Sequence, residues 1–163
     1  MKDIELKEEL MQGAREQGIC AEGYSHMRGY DREKLINYYL QNPDWCIERN
    51  FPSLVLLRRE FSDIEDKGVY VDKTFNGEVF DQLQVYIFHN CKGTIKVAMN
   101  YDKAVIPMLY FANGCNLCVE CEQENTPPIK VPLYINIYDG CSVTASGTES
   151  CLFKIYSVKM CES

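Results

Sequence analysis

Several familiar catalytic signatures are missing from this sequence. It has no glycine-rich phosphate loop, no H-E-x-x-H and no G-x-S-x-G, and its only histidines are His26 and His89. The hexapeptide repeat of left-handed acyltransferase helices and the acidic cluster of polysaccharide-cleaving β-helices are also absent. The sequence therefore favours a non-enzymatic function and predicts no cofactor.

Long apolar runs and an excess of positive charge are lacking as well. No apolar run approaches the roughly 20 residues that a membrane helix needs. The first residues do not place a charged segment before an apolar one, which predicts that there is no signal peptide. The net charge of −7 opposes binding to a polyanion. We therefore expect a cytoplasmic protein without a membrane or nucleic-acid partner.

Cysteine, by contrast, is abundant, and the count of nine is odd. The cysteines occupy positions 20, 46, 91, 115, 118, 121, 141, 151 and 161. Without a secretion signal, this count favours free thiols in a reducing compartment, most of them buried as small apolar side chains.

The first 67 residues have the pattern of a helical cluster. Leu6, Leu10 and Ala14 repeat at helical spacing within residues 2–17. Three shorter helices are predicted after them, over Arg32–Gln41, over Pro43–Arg49 and from the capping residue Ser53 to about Phe61.

A short pattern then recurs three times, as Val85–Cys91, Leu109–Cys115 and Ile135–Cys141. Alternating residues run into a small polar turn and then a cysteine, and the cysteines are 24 and then 26 positions apart. From residue 83 onward the odd-numbered positions are mostly apolar, which predicts strands with one buried face. A fixed period of this length indicates repeats that stack on their neighbours.

These patterns predict an α+β protein with two domains. Residues 1–67 would form the helical cluster, and residues 68–163 a short parallel β-helix, or β-solenoid, of about four coils. Cys91, Cys115 and Cys141 would then mark successive layers of one column. An antiparallel β-sandwich is the alternative, although a sandwich has no need for matching cysteines.

The triplet Cys115, Cys118 and Cys121 is a candidate metal site, because thiolates at such spacing can hold zinc or an iron–sulfur cluster. Such a site needs a tight knuckle, and residues 116–122 alternate like a strand instead. Cys118 would then point away from the other two thiols, so a structural role is favoured.

His89 and Cys91 are candidate catalytic residues. They lie two positions apart and would share one face of a strand, where an imidazole can activate a thiol. The alternative is a stacked corner in which His89 matches Asn113 and Asp139, both turn-forming residues. His26, in a glycine-flanked loop, is a further candidate.

Aromatic residues at even positions form a candidate binding surface: Tyr86, Phe88, Tyr110, Tyr134 and Tyr138. Coils of 24 residues would stack Tyr86 on Tyr110. Exposed aromatic patches mark partner sites or carbohydrate platforms. In the alternative interpretation, the helical cluster packs on this face and covers it.

Four phrases of the sequence carry a resemblance: Ile19–Tyr24, Asn42–Ser53, Phe88–Val97 and Ile106–Cys115. Together they resemble an uncharacterised family of short proteins from Bacteroides-type gut bacteria and their prophages or mobile elements. The resemblance implies a bacterial or phage cytoplasmic setting and a helical head followed by repeated strands. It assigns no activity, so no functional residue is carried over.

The sequence thus favours an interaction or structural module that presents a rigid, repeated surface to a protein partner or to a second copy of itself. A thiol-dependent or metal-dependent enzyme using His89, Cys91 or the cysteine triplet is the alternative. Carbohydrate binding on the tyrosine surface is a further alternative.

Overall fold

The chain divides into two compact units, one of residues 1–61 with 159–163 and the other of residues 62–158. The computed structural model describes residues 32–61, 63–100, 106–123, 131–147 and 151–160. The predicted helix over 2–17 and the candidate His26 lie outside the described residues. The predicted boundary lies after residue 67, whereas the short 3₁₀ turn Glu65–Lys67 belongs to the unit of residues 62–158, which we call the strand unit. The other unit is called the helical unit.

The described part of the helical unit contains α1 (Arg32–Gln41), α2 (Pro43–Glu48) and α3 (Leu54–Glu60). These three helices confirm the predictions for this stretch. Pro43 opens α2, where its fixed φ suits the first turn. The Ser53 hydroxyl caps α3 by accepting a hydrogen bond from the Leu56 N–H at 3.3 Å. Leu57 is fully buried.

The described residues of the strand unit form nine strands. They are β1 (Val69–Val71), β2 (Thr74–Phe80), β3 (Val85–His89), β4 (Lys92–Met99), β5 (Met108–Ala112), β6 (Asn116–Gln123), β7 (Leu133–Tyr138), β8 (Ser142–Gly147) and β9 (Phe153–Val158).

Successive strands alternate between two parallel sheets. One sheet has the order β1-β3-β5-β7-β9 and the other has the order β2-β4-β6-β8. Every pairing between the described strands is parallel. The antiparallel sandwich considered as an alternative is therefore wrong, and the fold is an α+β arrangement with two parallel sheets.

One hydrophobic core takes side chains from both sheets. Phe88, Phe111 and Leu109 enter it from the five-stranded sheet, and Ile95 and Val119 from the four-stranded sheet. All five are fully buried. The Phe88 and Phe111 rings stack with centroids 5.0 Å apart and planes 11° apart, so equivalent core positions repeat from layer to layer.

The predicted column of cysteines is confirmed. Cys91, Cys115 and Cys141 immediately precede β4, β6 and β8. The N–H of Asn116 donates to the Cys91 carbonyl at 2.9 Å, and the N–H of Ser142 donates to the Cys115 carbonyl at 2.8 Å. The spacings of 24 and 26 therefore link neighbouring strands of one sheet.

The prediction that odd positions face the core is wrong in β3. Tyr86 and Phe88 belong to the core there, and Tyr86 pairs with Leu109 at a spacing of 23. The neighbouring pair Lys92 and Asn116, in the other sheet, is spaced by 24. The chain from β5 to β6 therefore contains one residue more than the chain from β3 to β4.

The extra residue lies in the corner between β5 and β6. Between β3 and β4 only Asn90 has a positive φ, 53°, whereas the corner between β5 and β6 has two such residues, Asn113 at 57° and Gly114 at 82°. Because strand side chains alternate between faces, one residue more or less in a corner exchanges the two faces of the adjoining strand.

Candidate functional site

The cysteine triplet does not converge on a metal. Cys115 and Cys121 are buried, whereas Cys118 is exposed on the opposite face of β6. The prediction that Cys118 points away is confirmed. Within the described ranges, no group of three or more His, Cys, Asp or Glu side chains is placed to hold a metal ion.

The prediction that His89 and Cys91 share a face is wrong. Cys91 lies in the core with Phe88, whereas His89 is not part of that core. Asn90, with a positive φ of 53°, turns the chain between them and breaks the strand alternation. The contact between the two candidates joins the Cys91 thiol to the His89 carbonyl oxygen, at 3.5 Å. This geometry does not pair the thiol with an imidazole base.

His89 is itself buried, with its Nδ1 2.7 Å from the side-chain nitrogen of Asn113. Burial lowers the pKa of His89 to about 4, and the nearby Asp72 carboxylate opposes this shift. The imidazole is therefore neutral near pH 7, and its position fits a structural role in the corner.

The thiols of the cysteine column are linked through the backbone. The N–H of Cys91 donates to the sulfur of Cys115 at 3.4 Å, and the N–H of Cys115 donates to the sulfur of Cys141 at 3.3 Å. The Cys115 thiol in turn donates to the Ala112 carbonyl at 3.2 Å. Each layer therefore supplies a donor to the sulfur of the next.

The three thiols are unequal. Interaction with the Cys115 side chain is the main cause that lowers the pKa of Cys141 to about 7; burial opposes this shift, and the backbone N–H of Cys115 adds to it. The hydrogen bonds with Cys141 and Cys91, together with burial, raise the pKa of Cys115. Cys141 is half-buried, whereas Cys91 and Cys115 are fully buried. Cys141 thus combines access with ease of ionisation, which is what a reactive thiol requires.

The predicted aromatic binding surface needs correction. Tyr86, Phe88, Tyr110 and Tyr138 are 4% exposed or less, and only Tyr134 is partly exposed. The face exchange in β3 accounts for the first two, which became core residues. Carbohydrate binding therefore has no support from these four rings.

The predicted stack of Tyr86 on Tyr110 is also wrong, because Tyr86 pairs with Leu109 and Ile87 pairs with Tyr110. The aromatic stack in the structure lies inside the core instead. It runs from Tyr70 to Phe88 to Phe111, with centroid distances of 5.4 and 5.0 Å.

A cavity of about 440 Å³ opens where β1 and β2 end their respective sheets. We call it the edge cleft. It is lined by Glu65, Asp66, Tyr70, Phe75, Glu78, Val79, Phe80, Asp81, Gln82, Leu83 and Tyr86.

Aromatic rings form the apolar part of the edge cleft. Tyr70, Phe75 and Phe80 contact one another edge to face, with centroids 5.4 to 5.5 Å apart. Tyr86 packs edge to face on Phe80 at 5.1 Å. Phe75 and Phe80 are buried and Tyr70 is half-buried, so these rings are held in place by the core beneath them.

The loop between β2 and β3 is fixed by the Tyr86 hydroxyl. This oxygen accepts hydrogen bonds from the N–H of Gln82 at 3.0 Å and from the N–H of Leu83 at 2.8 Å. A core side chain thereby holds one wall of the cleft.

Carboxylates surround the rings. Glu65, Asp66, Glu78 and Asp81 line the edge cleft, and none of its described lining residues is Lys or Arg. Burial raises the pKa of Tyr70, and electrostatic interactions with Tyr86 and Glu65 raise it further. The edge cleft is therefore acidic above an aromatic floor.

Sequence reasoning missed the edge cleft because the first layer is shorter than the repeat. Thr74 pairs with Lys92 at a spacing of 18 instead of 24. A usable signal was present, since Phe75 and Phe80 alternate with acidic Glu78 and Asp81 outside the recurring pattern.

The chain has no match among family models, curated proteins or solved structures. In the ranges that the structure describes, no helix combines the length and the apolarity that crossing a membrane requires.

Proposed function

We propose that the strand unit is a short parallel β-helix, or β-solenoid, of about four coils and that it acts as a non-enzymatic interaction module. The alternation of consecutive strands between two parallel sheets supports this, as does the repetition of Cys91, Cys115 and Cys141 in neighbouring layers. A stack of such layers is a rigid support for a binding site.

The binding position is the edge cleft. One observation carries this proposal: the layered core opens there into a cavity of about 440 Å³ over an aromatic floor. Volumes of roughly 300 to 1,000 Å³ are typical of small-molecule sites. Because the rings are packed on one another before any ligand arrives, little conformational freedom is lost on binding.

A ligand-observed NMR screen tests this function. The library contains comparable numbers of neutral, anionic and cationic small molecules, each screened against the full chain. Two variants are screened in parallel. Val79→Trp fills the mouth of the cleft from an exposed position of β2, and Thr144→Trp adds the same ring at an exposed position of β8.

Binding that is lost in Val79→Trp and kept in Thr144→Trp supports the edge cleft as the site. A library without a single binder overturns the proposal. So do binders that Val79→Trp does not affect, provided that circular dichroism shows both variants to be folded.

A thiol-dependent enzyme is the second candidate, and one observation favours it. Cys141 is partly exposed, and its pKa is lowered to about 7, mainly by interaction with the Cys115 side chain. In this candidate Cys141 replaces Cys91 as the nucleophile, because Cys91 is fully buried. Its test is whether Cys141 is alkylated as a thiolate near neutral pH.

A further inference from the structure

We infer that the edge cleft binds a small organic cation, an ammonium group carried on an apolar framework. The inference rests on the proposed function, in which the cleft is the binding position, and adds the chemical class of the ligand. Its basis is the combination of an aromatic floor with an acidic rim.

Tyr70, which lines the edge cleft, has a described ring stacked on one of its faces only. The Tyr70 ring stacks on Phe88 with planes 15° apart, so Phe88 covers one of its faces. Because β1 ends its sheet, no further ring of the described column covers the opposite face. A cation within about 6 Å of a tyrosine centroid is attracted by the ring quadrupole, and the attraction grows as water is excluded.

The rim supplies negative charge that its own hydrogen bonds do not cancel. A Glu78 carboxylate oxygen accepts from the Asn76 N–H at 2.6 Å, and an Asp81 oxygen accepts from the Gln82 side-chain amide at 2.8 Å. Both donors are neutral. Neither hydrogen bond therefore places a positive charge beside its carboxylate.

The same rim already binds an ammonium group from the chain. The Lys73 Nζ lies 2.7 Å from a Glu65 carboxylate oxygen, and this hydrogen bond raises the pKa of Lys73. The chemistry needed for an organic ammonium ligand is thus present at one carboxylate, and Asp66, Glu78 and Asp81 lie on the rest of the rim.

The test compares three probes of one shape and different charge. Choline is the cation, 3,3-dimethylbutan-1-ol is its neutral isostere, and 3,3-dimethylbutanoate is the anion. We expect NMR titration at low salt to give choline an affinity at least about tenfold above that of the alcohol, with no binding of the anion. Added salt should reduce this advantage, because it screens the carboxylates.

A variant with fewer charges tests whether the rim carboxylates cause the preference for choline. In the triple variant Asp66→Asn, Glu78→Gln, Asp81→Asn, the oxygen acceptors remain and three charges are removed. Choline should then bind as weakly as the alcohol, while the alcohol binds as before.

The matched control removes the same charge elsewhere. It is the triple variant Glu120→Gln, Glu122→Gln, Asp139→Asn, whose three positions are exposed and distant in sequence from the cleft. This variant should bind choline like the parent. Equal loss in both triple variants would overturn the rim as the source of selectivity.

The remaining outcomes separate the two proposals. If the alcohol or the anion binds as tightly as choline and Val79→Trp abolishes that binding, the cation inference is overturned and the proposed function stands. If a trimethyllysine peptide binds more tightly than choline, a free small molecule is the wrong ligand. If neither these probes nor the wider library bind, both proposals are overturned.

Discussion

The backbone N–H of Cys115 donates a hydrogen bond to the thiol sulfur of Cys141, 3.3 Å away in the next layer. Cys91 and Cys115 make the same contact one layer earlier, at 3.4 Å. A hydrogen bond to sulfur favours the thiolate over the thiol. Cys141, the last cysteine of the column, also interacts with the Cys115 side chain, which contributes most to its lowered pKa, and it is half-buried. It therefore differs from the two buried thiols.

Cys141 should therefore react as a thiolate near neutral pH. We expect its alkylation by iodoacetamide, followed peptide by peptide with mass spectrometry, to be half-maximal near pH 7. In the urea-unfolded chain the midpoint should lie near about pH 8.5. Identical midpoints in the folded and unfolded chains would contradict the prediction.

Cys115→Ala should raise that midpoint, since it removes the thiol that contributes most to the lowered pKa of Cys141. Cys121→Ala is the matched control, because Cys121 is equally buried and its thiol contacts Met99 instead. A midpoint that moves by the same amount in both variants would indicate general loosening of the fold.

Gly93 and Gly140 form a matched pair for backbone geometry. Both have positive φ, 107° and 85°, but a Cβ at Gly93 would overlap the carbonyl oxygen of Phe75 on the paired strand. A Cβ at Gly140 meets nothing within 4 Å. We expect Gly140→Ala to lower the free energy of unfolding by about 1 kcal/mol, from backbone strain alone. Gly93→Ala should cost more than about 3 kcal/mol.

Urea unfolding followed by circular dichroism measures both costs. Similar losses in the two variants would mean that the close approach of β2 and β4 at Gly93 is not needed for the fold.

The elements that sequence predicted correctly depend on local signals. Pro43 and Ser53 mark helix starts whatever surrounds them. The spacings of 24 and 26 between Cys91, Cys115 and Cys141 predicted parallel stacking, because nearly equal intervals bring equivalent positions into one sheet. These features needed no knowledge of contacts between distant residues.

The elements that sequence missed depend on small differences between corners. Asn90 alone turns the chain in one corner, and Asn113 with Gly114 turns it in the next. This one-residue difference moved Tyr86 and Phe88 from the predicted surface into the core. The difference could not be predicted from the alternation within a strand, because that alternation carries no information about the number of residues in the adjoining corner.

The aromatic stack should account for much of the stability of the strand unit. Phe111 is fully buried beneath Phe88, so Phe111→Ala should lower the free energy of unfolding by about 3 to 5 kcal/mol. Phe153 is only partly buried, in β9 at the end of its sheet. Phe153→Ala should cost less than half as much. Equal losses in the free energy of unfolding, measured with urea, would show that the stacked ring stabilises the fold no more than the ring at the end of the sheet.

His89 should make stability depend on pH in a defined window. Its pKa falls from an ordinary value of 6.5 to about 4 in the folded chain. Between these values the unfolded chain takes up a proton that the folded chain does not, so the free energy of unfolding falls as pH falls. The contribution is fully present above pH 6.5 and is lost by about pH 4, a change of about 3 kcal/mol.

Urea unfolding between pH 7.5 and pH 4, compared between the parent chain and His89→Gln, isolates this effect from the titration of the carboxylates. Gln keeps a hydrogen-bonding group near Asn113 and cannot take up the proton. The parent should therefore lose more stability than the variant, with the difference developing below pH 6.5. If the two curves stay parallel throughout, His89 is not held neutral by burial, and its ring must gain access to water or to a countercharge when it is protonated.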